Sequence, residues 1–91
     1  MLRLNARDNV YRYSRSIHAV EQSDGSYLHE DGDIVWYNKS GTMYHREDGP
    51  AVIRGNIVYW YYLGIEYNFD LWCMLTNKSD EVKMMLRLQY V

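Results

Sequence analysis

Val52-Ile53-Arg54-Gly55-Asn56-Ile57-Val58-Tyr59-Trp60-Tyr61-Tyr62-Leu63-Gly64-Ile65-Glu66-Tyr67 is the stretch that decides the fold. β-Branched and aromatic residues fill it, and such side chains suit a pleated surface. Gly55-Asn56 divides it with the composition of a two-residue hairpin loop that needs positive φ. Leu63-Gly64 makes a second reversal. The stretch therefore reads as consecutive antiparallel strands. In the middle one, Tyr59, Tyr61 and Leu63 share one face, while Val58, Trp60 and Tyr62 share the other. Both faces are apolar or aromatic. The strand is expected to be central and covered on both sides, one of them by a C-terminal helix. The alternative is that one face is an aromatic binding surface.

Towards the N-terminus the same punctuation continues. Asp33-Ile34-Val35-Trp36-Tyr37-Asn38 reads as a strand, Lys39-Ser40-Gly41 as a turn, and Thr42-Met43-Tyr44-His45 as the returning strand. Arg46-Glu47-Asp48-Gly49-Pro50 is a wider turn. Pro50 has no N–H to donate, so it belongs at the start of a strand or on an edge. Tyr27-Leu28-His29 is a short strand between the turns Ser23-Asp24-Gly25-Ser26 and Glu30-Asp31-Gly32. Residues 10–20 read as one more strand, with Tyr11, Tyr13, Ile17 and Ala19 in one parity and Arg15 interrupting it.

Past Tyr67 the period changes. Asn68 is placed to cap a helix, with Asp70 in its first turn and Phe69, Trp72 and Cys73 at helical spacing. Ser79 can cap a second helix, with Asp80 and Glu81 in the first turn. Val82, Met85, Leu86 and Gln89 lie on one face of it, and Met84, Leu88 and Val91 on the next. So broad an arc is expected to pack on the sheet or on another subunit, with its methionines in a core. The fold class is mostly β (α+β): an antiparallel meander of stacked β-hairpins with one or two short C-terminal helices. Ninety-one residues make one domain, with 1–67 as the hairpin region and 68–91 as a helical cap.

Ten tyrosines stand against a single phenylalanine, which suits half-buried sheet faces and interfaces. The net charge of −2 gives no bulk attraction to nucleic acid or to an anionic membrane. Its distribution is uneven. Residues 1–20 carry Arg3, Arg7, Arg12 and Arg15 against Asp8 alone, whereas residues 21–33 carry Glu21, Asp24, Glu30, Asp31 and Asp33 with no Lys or Arg. Such a division is read as a solvated surface, or as the basis of head-to-tail self-association. The lone Cys73 excludes an intrachain disulfide and is expected to be buried and inert. The first residues have no apolar signal-peptide core, and no segment is long enough to span a bilayer, so the expected location is the cytoplasm, either of a bacterium or of a host cell in which the protein is made.

Trp36-Tyr37 leads through Gly41 to His45, and Trp60-Tyr61 leads through Gly64 to Tyr67, with 24 residues between the tryptophans. His29-Glu30-Asp31-Gly32 echoes His45-Arg46-Glu47-Asp48-Gly49. The run Tyr44-His45-Arg46-Glu47-Asp48-Gly49-Pro50-Ala51-Val52-Ile53 resembles the "HREDGPA" repeat of small bacteriophage proteins. Those repeats in turn resemble the hairpins of membrane-occupation-and-recognition-nexus (MORN) proteins. Gly64-Ile65-Glu66-Tyr67-Asn68-Phe69-Asp70-Leu71-Trp72 is similar to the segment that often closes that family. The resemblance covers about residues 19–75, and it implies stacked β-hairpins, a phage origin and no particular activity. Relatives can carry several copies of the turn motif, whereas this chain has one full copy.

His45-Arg46-Glu47-Asp48 offers a base, a cation and two carboxylates. The same residues also have turn chemistry, because Asp48 can bond backbone two residues on and Gly49 can take positive φ. His45, Arg46, Asp48, Gly49 and Pro50 are accordingly read as a structural turn, with His45 and Arg46 bonding backbone carbonyls or a neighbouring turn. His18, His29 and His45 show no metal-binding spacing. No nucleophile elbow, phosphate loop or cofactor motif is present. The candidate binding surface is aromatic: Tyr59, Tyr61, Tyr62, Trp36 and Trp60, with Arg12, Arg15 and Arg54 as phosphate contacts. Three functions are open to such a chain. It is read first as a phage accessory protein that blocks a host protein, such as a component of antiviral defence. The second is a homo-oligomer that sequesters a small nucleotide. The third is a small enzyme using His45 and nearby carboxylates.

Overall fold

The structure, a computed structural model, describes residues 19–91. Six strands follow one another both in sequence and in space: β1 (Val20–Glu21), β2 (Tyr27–Leu28), β3 (Ile34–Val35), β4 (Val52–Arg54), β5 (Ile57–Tyr62) and β6 (Ile65–Tyr67). Each neighbouring pair is antiparallel. Two helices close the chain, α1 (Phe69–Leu75) and α2 (Asp80–Tyr90). A mostly β meander with short C-terminal helices is thus the observed architecture. Residues 10–18 of the strand expected over 10–20 lie outside the described residues, and its end is β1.

Most hairpins are closed by their own residues. Arg54 lies opposite Ile57, so Gly55-Asn56 is a two-residue loop, and Gly55 has φ 62°. Upstream, one turn occurs twice. Asp24 Oδ1 accepts the N–H of Ser26 at 2.9 Å, and Asp31 Oδ1 accepts the N–H of Asp33 at 3.0 Å. In each, the glycine N–H donates three residues back, to Gln22 and to His29. This repeat runs along β1 to β3. It differs from the echo between residues 29–32 and 45–49: the second of those segments has no such closing bond, and its Gly49 is not in the left-handed region.

The strand expected over 42–45 is a correction. Only one bridge forms there, Tyr37 to Tyr44. Asn38 explains why. Its side-chain carbonyl accepts the N–H groups of Thr42 at 2.8 Å and Met43 at 3.0 Å, closing the loop through a side chain. The strand before it is likewise short, and it pairs with β4: Val35 lies opposite Val52, and the Trp36 N–H donates to the Ala51 carbonyl at 2.8 Å.

β5 has a core on each face. On one, Val35, Tyr44, Ala51 and Val52 are buried, with Tyr37, Tyr59 and Tyr61 packed against them. On the other, Trp60, Trp72, Cys73 and Leu86 are buried, with Val58, Tyr62, Tyr67, Phe69 and Tyr90 around them. The second face is the one the helices cover. Asn68 caps α1 through the Leu71 N–H at 2.9 Å, and Ser79 caps α2 through the Val82 N–H at 3.2 Å. These bonds satisfy orphan donors at both helix starts. Burial pushes the Cys73 thiol pKa up, which keeps it un-ionised.

The methionines of α2 do not enter the core, contrary to expectation. Met84 is 64% exposed, Met85 67% and Leu88 82%, whereas Leu86 is 7% exposed. The reason is the order of packing. α1 lies along β5 and β6, and α2 reaches the core with Leu86 and Tyr90 alone among its apolar side chains.

Candidate functional site

The loop over 45–50 is held as a clasp. The Leu63 N–H donates to His45 Nδ1 at 2.9 Å. A backbone amide can only donate, so Nδ1 carries the lone pair and the ring proton sits on Nε2. That proton points to Glu47 Oε2, 3.0 Å away. Both ring nitrogens are therefore engaged, and no lone pair is free to take a proton from a substrate. Glu47 and Asp48 lie outward, with side chains 66% and 85% exposed.

Arg46 organises the rest of the loop. Its guanidinium lies 3.6 Å over the Trp36 ring, donates from Nε to Asp48 at 2.7 Å and from Nη1 to the Pro50 carbonyl at 3.1 Å. Its own carbonyl accepts the Trp72 indole N–H at 3.2 Å, which ties the loop to α1. Two expectations for Asp48 and Gly49 are corrected here. Asp48 cannot bond the backbone two residues on, because Pro50 has no N–H, and it pairs with Arg46 instead. Gly49 does not have positive φ. A Cβ there would lie 2.7 Å from Arg46 Cζ, so a side chain at this position would displace the guanidinium.

The aromatic candidates divide between the two faces of β5. Trp60 is 5% exposed, packed against Phe69, Trp72 and Tyr90 at ring-centroid distances of 4.8, 4.7 and 5.8 Å. Its ring is not presented to a partner, which corrects its place in the binding surface. Tyr62 lies on the same face, 5.0 Å from the His45 ring, and Trp36 is under Arg46. Tyr59 and Tyr61 are on the opposite face.

That opposite face carries an arrangement that spacing alone did not reveal. Tyr27, Tyr37, Tyr44 and Tyr61 form a continuous row, with centroids 5.5, 5.6 and 5.0 Å apart. Tyr44 is buried; the other three and Tyr59 are half-buried. The signal was available as shared parity, since Tyr27 faces Val35 and Val52 faces Tyr59 across successive ladders. What sequence could not supply is the path through Tyr44, which depends on the folded 38–45 loop. Within the row His29 Nε2 meets the Tyr37 hydroxyl at 2.9 Å. His29 is 7% exposed, and this burial holds its pKa below the usual histidine value, against the pull of Asp31 and Asp33.

Arg54 stands beside the row, 5.5 Å from the Tyr59 ring. Its guanidinium donates to Asp33 Oδ2 from Nε at 3.0 Å and Nη2 at 2.8 Å. That carboxylate pushes the Arg54 pKa further up, and a phosphate would have to compete with it. Arg12 and Arg15 lie outside the described residues, as does His18. Among the described residues no three metal-ligating side chains cluster, and no helix is long and apolar enough to cross a membrane.

Comparison with protein-family models, with curated proteins and with solved structures finds no match for the chain.

Proposed function

We propose that this chain is a binding protein that engages and blocks another protein, an accessory factor of a bacteriophage acting in the cytoplasm of its bacterial host. The observation that carries the binding reading is the tyrosine row on the sheet face opposite the helices. Rings already packed against one another, at Tyr27–Tyr37 and Tyr44–Tyr61 edge to face, lose little freedom when a partner arrives. Tyrosine and arginine are also the usual anchors of protein interfaces. The engaged nitrogens of His45 support binding over catalysis. The phage setting rests on the resemblance of residues 44–53 and 64–72 to the repeat family.

The test is capture of partners from bacterial lysate on the immobilised chain, with proteins and small molecules identified from the same eluate. One host protein is expected to be retained, and lost when Tyr27→Ser and Tyr59→Ser are combined. Exposed Glu66→Ala serves as the control and keeps the partner. A nucleotide retained in place of a protein, and lost in Arg54→Ala, would establish the sequestering reading instead. Retention that ignores the tyrosine substitutions removes the row as the docking surface.

A further inference from the structure

α2 is apolar on two sides. Leu86 and Tyr90 lie on the side that meets the core. Met84, Met85, Leu88 and the C-cap Val91 lie on the other, at helical spacings of three, four and seven residues. With Met74 of α1 at 73% exposed, these are the most exposed large hydrophobic side chains among the described residues. The sheet contributes nothing as exposed: Val20 at 62% and Ile57 at 57% follow. These side chains form one contiguous row, not a scatter of surface residues.

The charges around the row select its occupant. α2 begins with Asp80 and Glu81 and carries Arg87 in its last turn. The helical region from Asn68 onwards has Asp70, Asp80 and Glu81 against Lys78, Lys83 and Arg87, so it has no net charge to draw it to an anionic membrane. A parallel copy would set acid beside acid. An antiparallel copy sets the acidic first turn of each helix beside the last turn of the other, and it also opposes the two helix dipoles. Arg87 is half exposed, with Asp70 of its own chain at 3.4 Å and the Phe69 ring centroid at 5.1 Å.

We infer that the chain forms a two-fold homodimer through the outer side of α2, with the two helices antiparallel and Met84 of one opposite Leu88 of the other. The interface is isologous, as two-fold symmetry requires. It lies on the helices, so the tyrosine row of each subunit remains open to a partner, and the proposal stands or falls separately from the proposed function.

Light scattering coupled to size-exclusion chromatography at high micromolar concentration is expected to give twice the chain mass. Leu88→Glu should raise the dimer dissociation constant at least tenfold. Its circular dichroism should be unchanged, because Leu88 is mostly exposed within one chain. Leu88→Ser serves if the charged variant does not fold. Orientation is read by mixing chains carrying Met84→Cys with chains carrying Leu88→Cys under mild oxidation; the buried Cys73 stays unreactive. The mixed disulfide is expected to exceed either like-with-like product. A single-chain mass at all concentrations overturns the proposal, whether another part of the chain or a different protein then covers the row. So does a dimer indifferent to Leu88→Glu, or a predominance of like-with-like crosslinks.

Discussion

β5 is bracketed by two tight turns of equal length and opposite construction. At its start, Gly55-Asn56 places glycine at the left-handed position, with nothing within 4 Å of where a Cβ would lie. The turn needs no help from the rest of the molecule. At its end, Leu63-Gly64 puts both residues at positive φ, 49° and 82°, and the first is a leucine. Left-handed backbone costs a residue with a side chain about 1–2 kcal/mol. The cost is met from outside: His45 Nδ1 accepts the Leu63 N–H, the Tyr44 carbonyl accepts the Gly64 N–H at 2.8 Å, and the Met43 side chain packs over Gly64. One turn is written in its own two residues. The other exists because a loop some twenty positions earlier is folded against it.

The strongest way to break this comparison is Gly55→Val. The site is open, so the whole effect is backbone strain at a β-branched residue, about 2–3 kcal/mol. For a chain of this size that lowers the melting temperature by roughly 10–20 °C. An unchanged thermal melt would show that the 55–56 turn does not depend on its glycine.

His45→Ala attacks the other turn from a distance. It removes the acceptor for Leu63 and is expected to cost about 1–2 kcal/mol, less than a fully buried loss because Leu63 is half exposed and water can reach its N–H. Denaturant unfolding of the variant measures this. A variant of full stability that has lost partner binding would instead make His45 part of the docking surface.

Leu63→Asn sharpens the comparison, since asparagine tolerates the left-handed region. It should stabilise by about 0.5–1 kcal/mol. Combined with His45→Ala it should show coupling, with the histidine worth less once the turn is unstrained. Additive effects in that double-mutant cycle would mean that His45 does not support the turn.

The smallest expected effect concerns His29, at the head of one of the locally closed turns. Burial depresses its folded-state pKa below the ordinary value of about 6.5. Its neutral form therefore contributes stability that is complete above pH ~6.5 and is lost as pH falls through the lower folded value. Melting temperature should drop on acidification below pH ~6.5, and His29→Gln should flatten that part of the profile. A profile identical in the two proteins removes His29 as the titrating group.

The fold was legible where local chemistry and hydrophobic period agree. Asn68 and Ser79 as caps, Gly55-Asn56 as a hairpin and the two-sided character of β5 were all readable from residue types at fixed offsets. The 42–45 strand was misread because Asn38 captures amides that a ladder would have used, and an Asn before a loop signals a turn without saying which donors it takes. The α2 methionines were misread because an apolar arc states that a surface wants cover, not which surface reaches it. At the site, Tyr59, Tyr61 and Arg54 were foreseeable on one face. Asp33 as the partner of Arg54 and the link through Tyr44 were not, since each joins residues 17 or more positions apart.

By itself, then, the sequence determined the meander order, the hairpin at residues 55–56, the helix starts and the alternation that gives β5 two apolar faces. These follow from interactions within a few residues, whose geometry the chain fixes locally. Only the tertiary structure decided that Leu63 would adopt a left-handed turn, that the Arg46 guanidinium would lie against Gly49, that Trp60 is buried while the tyrosine row stays half open, and that one side of α2 is left bare. Each of these depends on which distant side chain arrives at a given place, and sequence spacing carries no record of that distance.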